Sequence, residues 1–128
     1  MTDTCPFCQP DSEQIWFEDQ MGFVLRDAYP ISQGHALVVP RQHVARLYDL
    51  PADTQAALWQ LASEARRRID EELRSDGFNV GVNDGEAAGQ TVMHVHIHVI
   101  PRWNGDVADP RGGIRRVIPE KARYWGGE

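Results

Sequence analysis

The stretch HVHIHVIPR, His94 to Arg102, places three of the chain's five histidines at every second position. In a strand, successive side chains point to opposite faces, so residues i, i+2 and i+4 line one of them. His94, His96 and His98 then stand in a row, and Val95, Ile97 and Val99 face the other way. The β-branched content of that second set favours a strand with one face in the core. The opposite face carries imidazoles, and three in strict alternation are more than a solvated strand surface requires.

Working outward from this strand, the neighbouring segments supply the rest of one domain. "EQIWFED" and "GFVLRD" read as two strands joined by a short turn around Gln20 to Gly22, and "HALVVP" (His35 to Pro40) as a third. From Pro51 to about Ser75 the apolar residues Leu58, Leu61, Ala62, Ala65, Ile69 and Leu73 recur at three- and four-residue spacings, which predicts one long helix. Pro51 suits its first turn, Asp53 its positive end, and Gly77 its termination after Arg74. The basic run Arg66 to Arg68 reads as a solvated helix face. "FNVGVND" (Phe78 to Asp84) is a fourth strand and "GEAAGQ" a tight loop leading into the histidine strand, which Pro101 is expected to end. Residues from about 102 to 128 form a polar, Gly/Pro-rich tail without a clear period. Strands, one helix, then strands indicate an α+β domain over 1–128 with a mainly antiparallel sheet. Such a sheet leaves an edge open to a symmetric partner.

The chain has 128 residues, enough for one core and not two. Its net charge of −6 disfavours non-specific nucleic-acid binding, which depends on neutralising phosphates, although a few local donors can still hold a small phosphate ligand. No apolar run approaches the roughly 20 residues of a membrane span. The start, "MTDTCPFCQP", lacks the basic and apolar segments of a signal peptide, so a cytoplasmic location is expected. The two cysteines, Cys5 and Cys8, lie in "CPFC"; in a reducing compartment they point to metal binding or redox chemistry. A redox motif should follow a strand and open a helix, whereas no strand is read before Cys5 and Pro10 comes just after Cys8, so the redox reading is poor.

Read by themselves, the histidines leave a metal site and covalent chemistry both open, since His at i and i+2 is a good ligand pair and imidazole is a nucleophile. The wider stretch "GQTVMHVHIHVIPR", however, resembles the signature of the histidine triad (HIT) family, His-φ-His-φ-His-φ-φ with φ apolar. "DAYPISQGHALVVPRQH" and "NDGEAAGQT" are similar to the family's two other characteristic segments, in the same order. The resemblance covers roughly Cys5 to Arg102 and looks most like the fragile-histidine-triad branch, whose members hydrolyse diadenosine polyphosphates.

The resemblance implies a homodimer in which two five-stranded antiparallel sheets, each with one long helix, join into one. It implies attack on the α-phosphate of an adenosine- or guanosine-type nucleotide, with a covalent nucleotidyl-histidine on the middle histidine, His96. The carbonyl of His94 would fix the tautomer of His96, His98 would donate to the phosphate or the leaving oxygen, and His35 would orient His98. Thr91, its neighbour Gln90 and the amide of Gly89 fall at the phosphate-binding positions, Asn83 at the amide position near the α-phosphate, and Asp27 at the acidic position that holds the ribose. Asp27 and Asn83 also read as turn residues. Family relatives with an N-terminal Cys-x-x-Cys bind zinc with two further histidines, which implies a structural zinc held by Cys5, Cys8, His43 and His94. Phe17, Phe23 and Leu25 are candidate walls for the base, and Arg102, Arg111 and Arg115 candidate contacts to outer phosphates or a second subunit.

Three functions are therefore in view. The leading one is a nucleotide hydrolase or transferase, acting on a dinucleoside polyphosphate or a nucleoside phosphoramidate. The others are a regulatory nucleotide-binding module with little turnover, and a catalytic metal centre built from all three triad histidines.

Overall fold

The computed structural model describes residues 5–126; the terminal residues 1–4 and 127–128 of the expected domain lie outside the described residues. Five strands, β1 (Ile15–Glu18), β2 (Gly22–Arg26), β3 (Ala36–Pro40), β4 (Gly77–Gly81) and β5 (Ile97–Arg102), form one sheet in the order β1-β2-β3-β5-β4. All four pairings are antiparallel. The helix α1 (Ala52–Leu73) carries the chain from β3 past β5 to the far edge, so β5 comes last and still occupies an inner position. The architecture is the α+β one that the patterning predicts. Among the described residues, no helix is long and apolar enough to cross a membrane.

Local chemistry explains the elements. At the first hairpin, Asp19 Oδ1 accepts from the amides of Met21 and Gly22 at 2.8 and 3.0 Å and closes the turn. Gly22 must be small, because a Cβ there would lie 2.6 Å from the Val39 carbonyl oxygen and 3.0 Å from Leu58 Cδ2 of α1. The helix buries Leu58, Leu61, Ala62, Ala65 and Ile69 against Val24, Ala36, Val38, Ile97 and Val99. Arg66 to Arg68 are on the outer helix surface as expected, yet Arg66 and Arg68 also brace the sheet edges. The Arg68 guanidinium lies 3.8 Å over the Phe17 ring and that of Arg66 4.8 Å over Phe78.

The two faces of the sheet differ. One is covered by α1; the other carries a smaller apolar cluster of Phe23, Leu25, Leu37 and Val39, against which Phe7 and Ile15 pack. His98 pairs with Leu37 across β3 and β5, so the histidines belong to this second face.

Several boundaries depart from the sequence reading. The helix ends at Arg74 in a left-handed conformation (φ +56°), its amide bonding to Asp70, whereas Gly77 begins β4. β4 stops at Gly81 instead of reaching Asp84, and β3 starts one residue after His35. Regular pairing of the histidine strand begins only at Ile97; His94 lies in a bend, and Val95 and His96 lead from it into β5. Pro101 does not end the strand. It pairs with Phe78 inside β5, and its carbonyl accepts from Ser32 Oγ at 2.8 Å on the other side. Its missing N–H would point to that same side, past the last β3–β5 pair at Ala36, so no ladder bond is lost. The tail is more structured than its composition suggests. Two 3₁₀ turns span Gly113–Val117 and Pro119–Lys121, and Ala122 is buried.

Candidate active site

Three short hydrogen bonds determine which nitrogen each histidine presents. The Nδ1–H of His96 donates to the carbonyl of His94 at 2.9 Å, leaving Nε2 as a free lone pair. In His35, Nδ1 accepts from the amide of Ile31 at 3.2 Å, so the proton is on Nε2. That Nε2–H faces His98 Nδ1 at 3.0 Å and Asp27 Oδ2 at 3.3 Å. With Nδ1 of His98 accepting, its own proton sits on Nε2. Across the site, an unprotonated His96 Nε2 is set beside a protonated His98 Nε2, their rings 5.1 Å apart. One can attack an electrophile, and the other can donate to oxygen.

Burial supports the neutral forms. It pushes His98 down from 6.5 to about 4, with the nearby His96 and His35 rings acting in the same direction and Asp27 opposing them. Burial also lowers His35, again against the pull of Asp27. At neutral pH His98 is thus a hydrogen-bond donor and not an imidazolium.

His96 and His98 open into a pocket of about 430 Å³ whose lining also contains Asp27, Asn83, Gly89, Gln90 and Thr91. The six residues assigned to substrate from the sequence and the expected nucleophile His96 thereby meet in one place, from the end of β2, the start of β5 and the loop after β4. Their roles differ in detail. Asp27 does what a turn residue does, with Oδ1 accepting from the Tyr29 amide at 2.8 Å, while Oδ2 stays near His35. The amide of Gly89 is not free for phosphate as expected: it donates to the Glu86 carbonyl at 3.0 Å and closes a 3₁₀ turn. The φ of +98° at Gly89 is the backbone condition for that closure. Gln90 is a loop staple and does not offer its side chain to substrate. Its Oε1 accepts from Gly85 and its Nε2 donates to the carbonyls of Ala45 and Val92, so the amide is fully engaged. Asn83 and Thr91 are exposed and face the pocket.

A larger hollow of about 730 Å³ lies beyond Ile100 and Arg102 on the same sheet face, but no histidine lines it. Arg102, expected at outer phosphates, is held there by Asp106 at 2.7 Å and Asn79 at 2.6 Å. Arg111 pairs with Asp109, and Arg115 donates to the carbonyls of Lys121 and Ala122. None of the three lines the pocket of His96 and His98.

His94 takes the opposite course from its neighbours. It is fully buried (0% exposed), and its Nε2–H donates to the Pro40 carbonyl at 2.8 Å, which turns Nδ1 away from the pocket. That Nδ1 lies 3.2 Å from His43 Nδ1, 3.4 Å from Cys5 Sγ and 3.8 Å from Cys8 Sγ, and Cys8 Sγ lies 3.1 Å from His43 Nδ1. Tetrahedral zinc with N and S ligands has N···N edges of about 3.3 Å and N···S edges of about 3.6 Å. The four donors fit such an ion. The Pro40 carbonyl is the outer acceptor that a ligating imidazole requires, and burial keeps His94 neutral. Burial and the adjacent Cys5 sulfur push the Cys8 thiol up, a sign that a divalent cation reverses. The triad does not form one metal centre, because His94 faces the cysteines and His96 faces the pocket. A second potential ligand group, Asp27, His35 and His98, has its polar atoms engaged with one another.

A match to the HIT domain family extends over residues 10–105, three quarters of the chain. The chain belongs to the HIT domain family. This HIT chain is 39% identical to a bis(5'-adenosyl)-triphosphatase of Dictyostelium discoideum over 73% of its length, and 38% identical to an AP-4-A phosphorylase of Mycobacterium tuberculosis over 90%. It spans 62% and 65% of the length of those two curated relatives. Among solved structures it is similar to a zinc-bound histidine triad family protein from Mycobacterium smegmatis. The TM-score is 0.76 at 36% identity, covering 85% of this chain and 82% of that one.

The apolar walls of the HIT pocket were only partly legible. Leu25 lines it, but Phe17 packs on the helix side of the sheet and Phe23 lies in the apolar cluster behind the wall. Pro6, Phe7, Tyr29 and Leu37 take their places. The alternation in β3 could have yielded Leu37. Pro6 and Phe7 could not have been found, because the folding of "CPFC" over the site is a long-range event.

Proposed function

We propose that this HIT chain is a nucleotide hydrolase or transferase that cleaves at the α-phosphate of a dinucleoside polyphosphate or a nucleoside phosphoramidate. The observation that carries this reading is the lone pair of His96 Nε2, held open toward the pocket by the Nδ1–H bond to the His94 carbonyl. In the first step Nε2 attacks the α-phosphorus, an N–P bond forms, and the bridging P–O or P–N bond breaks with its electron pair leaving on the departing group. His98 Nε2–H donates a hydrogen bond to that group or to a non-bridging oxygen. In the second step water attacks the phosphorus, the N–P bond breaks, and nucleoside monophosphate leaves with the proton balance restored to solvent. Asn83 and Thr91 bind phosphate oxygens, and Asp27 holds the sugar as well as facing His35. Neutral His98 favours leaving groups that depart as phosphate anions, because an amine must gain a proton to leave. Dinucleoside polyphosphates of adenosine or guanosine are therefore the first substrates to try, in keeping with the names of the two relatives.

In this reading zinc is a structural ion on Cys5, Cys8, His43 and His94, closing a four-ligand site with no open position. The chain acts as one cytoplasmic domain over 1–128. It forms a homodimer that covers the exposed β4 edge and has no membrane or non-specific nucleic-acid partner. The test is a turnover screen over diadenosine polyphosphates, adenosine phosphoramidates and adenylylated amines, with rapid-quench mass spectrometry. A nucleotide adduct of wild type that maps to His96 is expected. Turnover with no adduct at any quench time, or an adduct elsewhere, removes the covalent mechanism; a monomeric mass by light scattering removes the dimer.

A further inference from the structure

Phe7 sits between the two cysteines and reaches both halves of the histidine run. Its ring centroid is 5.0 Å from that of His96, inclined at 63°, and 5.9 Å from that of His94, at 86°. It packs against the apolar cluster of Phe23, Leu25, Leu37 and Val39, and with Pro6 it lines the catalytic pocket. His98 is a second neighbour of the same ring, 5.1 Å away and also at 63°. The His96 ring thus meets two other rings edge-on. Its one hydrogen bond among the described residues, to the His94 carbonyl, defines the tautomer but leaves the ring free to rock about that bond.

We propose that Phe7 is a positioning residue for His96, through which the metal-binding loop reaches the reaction centre. The loop is four residues long, and both its ends face the donor nitrogens of His43 and His94. Anchored there, the loop has Pro6 and Phe7 directed onto the pocket. Phe7 blocks the rocking of His96 that would lengthen the Nδ1–H···O=C bond and misdirect Nε2. The effect on rate should be large for a side chain that makes no bond to substrate, because small displacements of a nucleophile from the attack line are costly. The proposal rests on the covalent reading for its kinetic arm only.

The test uses zinc-loaded full-length protein carrying Phe7→Ala, Phe7→Leu or Phe7→Tyr. Zinc content, the long-range ¹H–¹⁵N spectrum of the His96 ring (assigned with His96→Asn) and steady-state hydrolysis of diadenosine triphosphate are measured. Phe7→Ala is expected to keep its zinc, to show a His96 spectrum moved from one tautomer toward a mixture, and to lose about tenfold in kcat with a smaller change in KM. Phe7→Tyr restores both readings, and Phe7→Leu lies between. Chelated wild type should show the same His96 change as Phe7→Ala. An unchanged His96 spectrum in Phe7→Ala overturns the proposal, as does a rise in KM alone, which would make Phe7 only a wall. If Phe7→Ala loses zinc, Phe7→Leu decides, and a native spectrum and kcat there also overturn it. A native His96 spectrum after zinc removal breaks the link from metal to nucleophile. If wild type fails to hydrolyse any substrate, the functional reading fails, while the spectra still decide the role of Phe7.

Discussion

His94 and His96 are two residues apart and chemically identical, yet they use opposite nitrogens. His94 donates from Nε2 to the Pro40 carbonyl and presents Nδ1 to two thiols and an imidazole; His96 donates from Nδ1 to the His94 carbonyl and presents Nε2 to a pocket. The choice is made by where a backbone carbonyl lies relative to each ring, not by the side chain. A neutral imidazole has one proton, so a carbonyl that takes it from one nitrogen exposes the other. The lesson is that a row of like residues can be divided between a cluster of metal-type ligands and an open pocket by two main-chain oxygens.

The contrast can be broken most severely at His96. His96→Asn is expected to reduce turnover by at least about 10⁴-fold while leaving nucleotide affinity within about threefold, read by kinetics and equilibrium binding. Wild-type-like turnover would end the assignment of nucleophile. The metal side should behave differently. Cys5→Ser with Cys8→Ser is expected to lose the ion and to lower the melting temperature by roughly 10 °C or more. Activity per folded molecule should fall only about as far as in Phe7→Ala. Complete inactivity of a well-folded double variant would mean that the ion takes part in the chemistry.

A smaller effect is expected at His98. Replacing it with Asn removes a hydrogen-bond donor, which should lower kcat about 10²-fold for diadenosine triphosphate. The smallest effect is on stability against pH. Burial, reinforced by His96 and His35, holds the His98 imidazole down at about 4 instead of 6.5. Between those values the unfolded chain carries a proton there that the folded chain refuses. Stability attributable to His98 is therefore complete above 6.5, falls as the pH drops toward about 4, and levels off below. Thermal melts of wild type should lose about 2–4 °C more between pH 7 and pH 5 than melts of His98→Asn. Equal losses would show that His98 does not stay neutral in the folded state.

Much of this was legible because it depends on local periodicity. Val95, Ile97 and Val99 alternate with the histidines whatever packs on them, and Leu58, Ala62, Ala65 and Ile69 recur at helical spacing, so both core faces follow from the order of residues. Other features depend on the partners a segment meets. Pro101 stays inside β5 because β3 has already ended beside it, a fact of register. The Gly89 amide is taken up within its own loop, and the Gln90 side chain ties that loop to the Ala45 carbonyl, through closure that motif spacing does not encode.

What the sequence determined alone was the set of groups and the face on which they appear: five histidines, two cysteines and an alternation that separates imidazole from core. That follows from the period of a strand and from the chemistry of the side chains. Only the tertiary structure decided that His94 gives its Nε2–H to a distant carbonyl and turns Nδ1 to the cysteines, and that a phenylalanine from residue 7 lies against a ring at residue 96. Both depend on groups distant in sequence, the Pro40 carbonyl for His94 and the folded CPFC loop for His96. A hydrogen bond or a ring contact is made in space, and the distance along the chain carries no information about it.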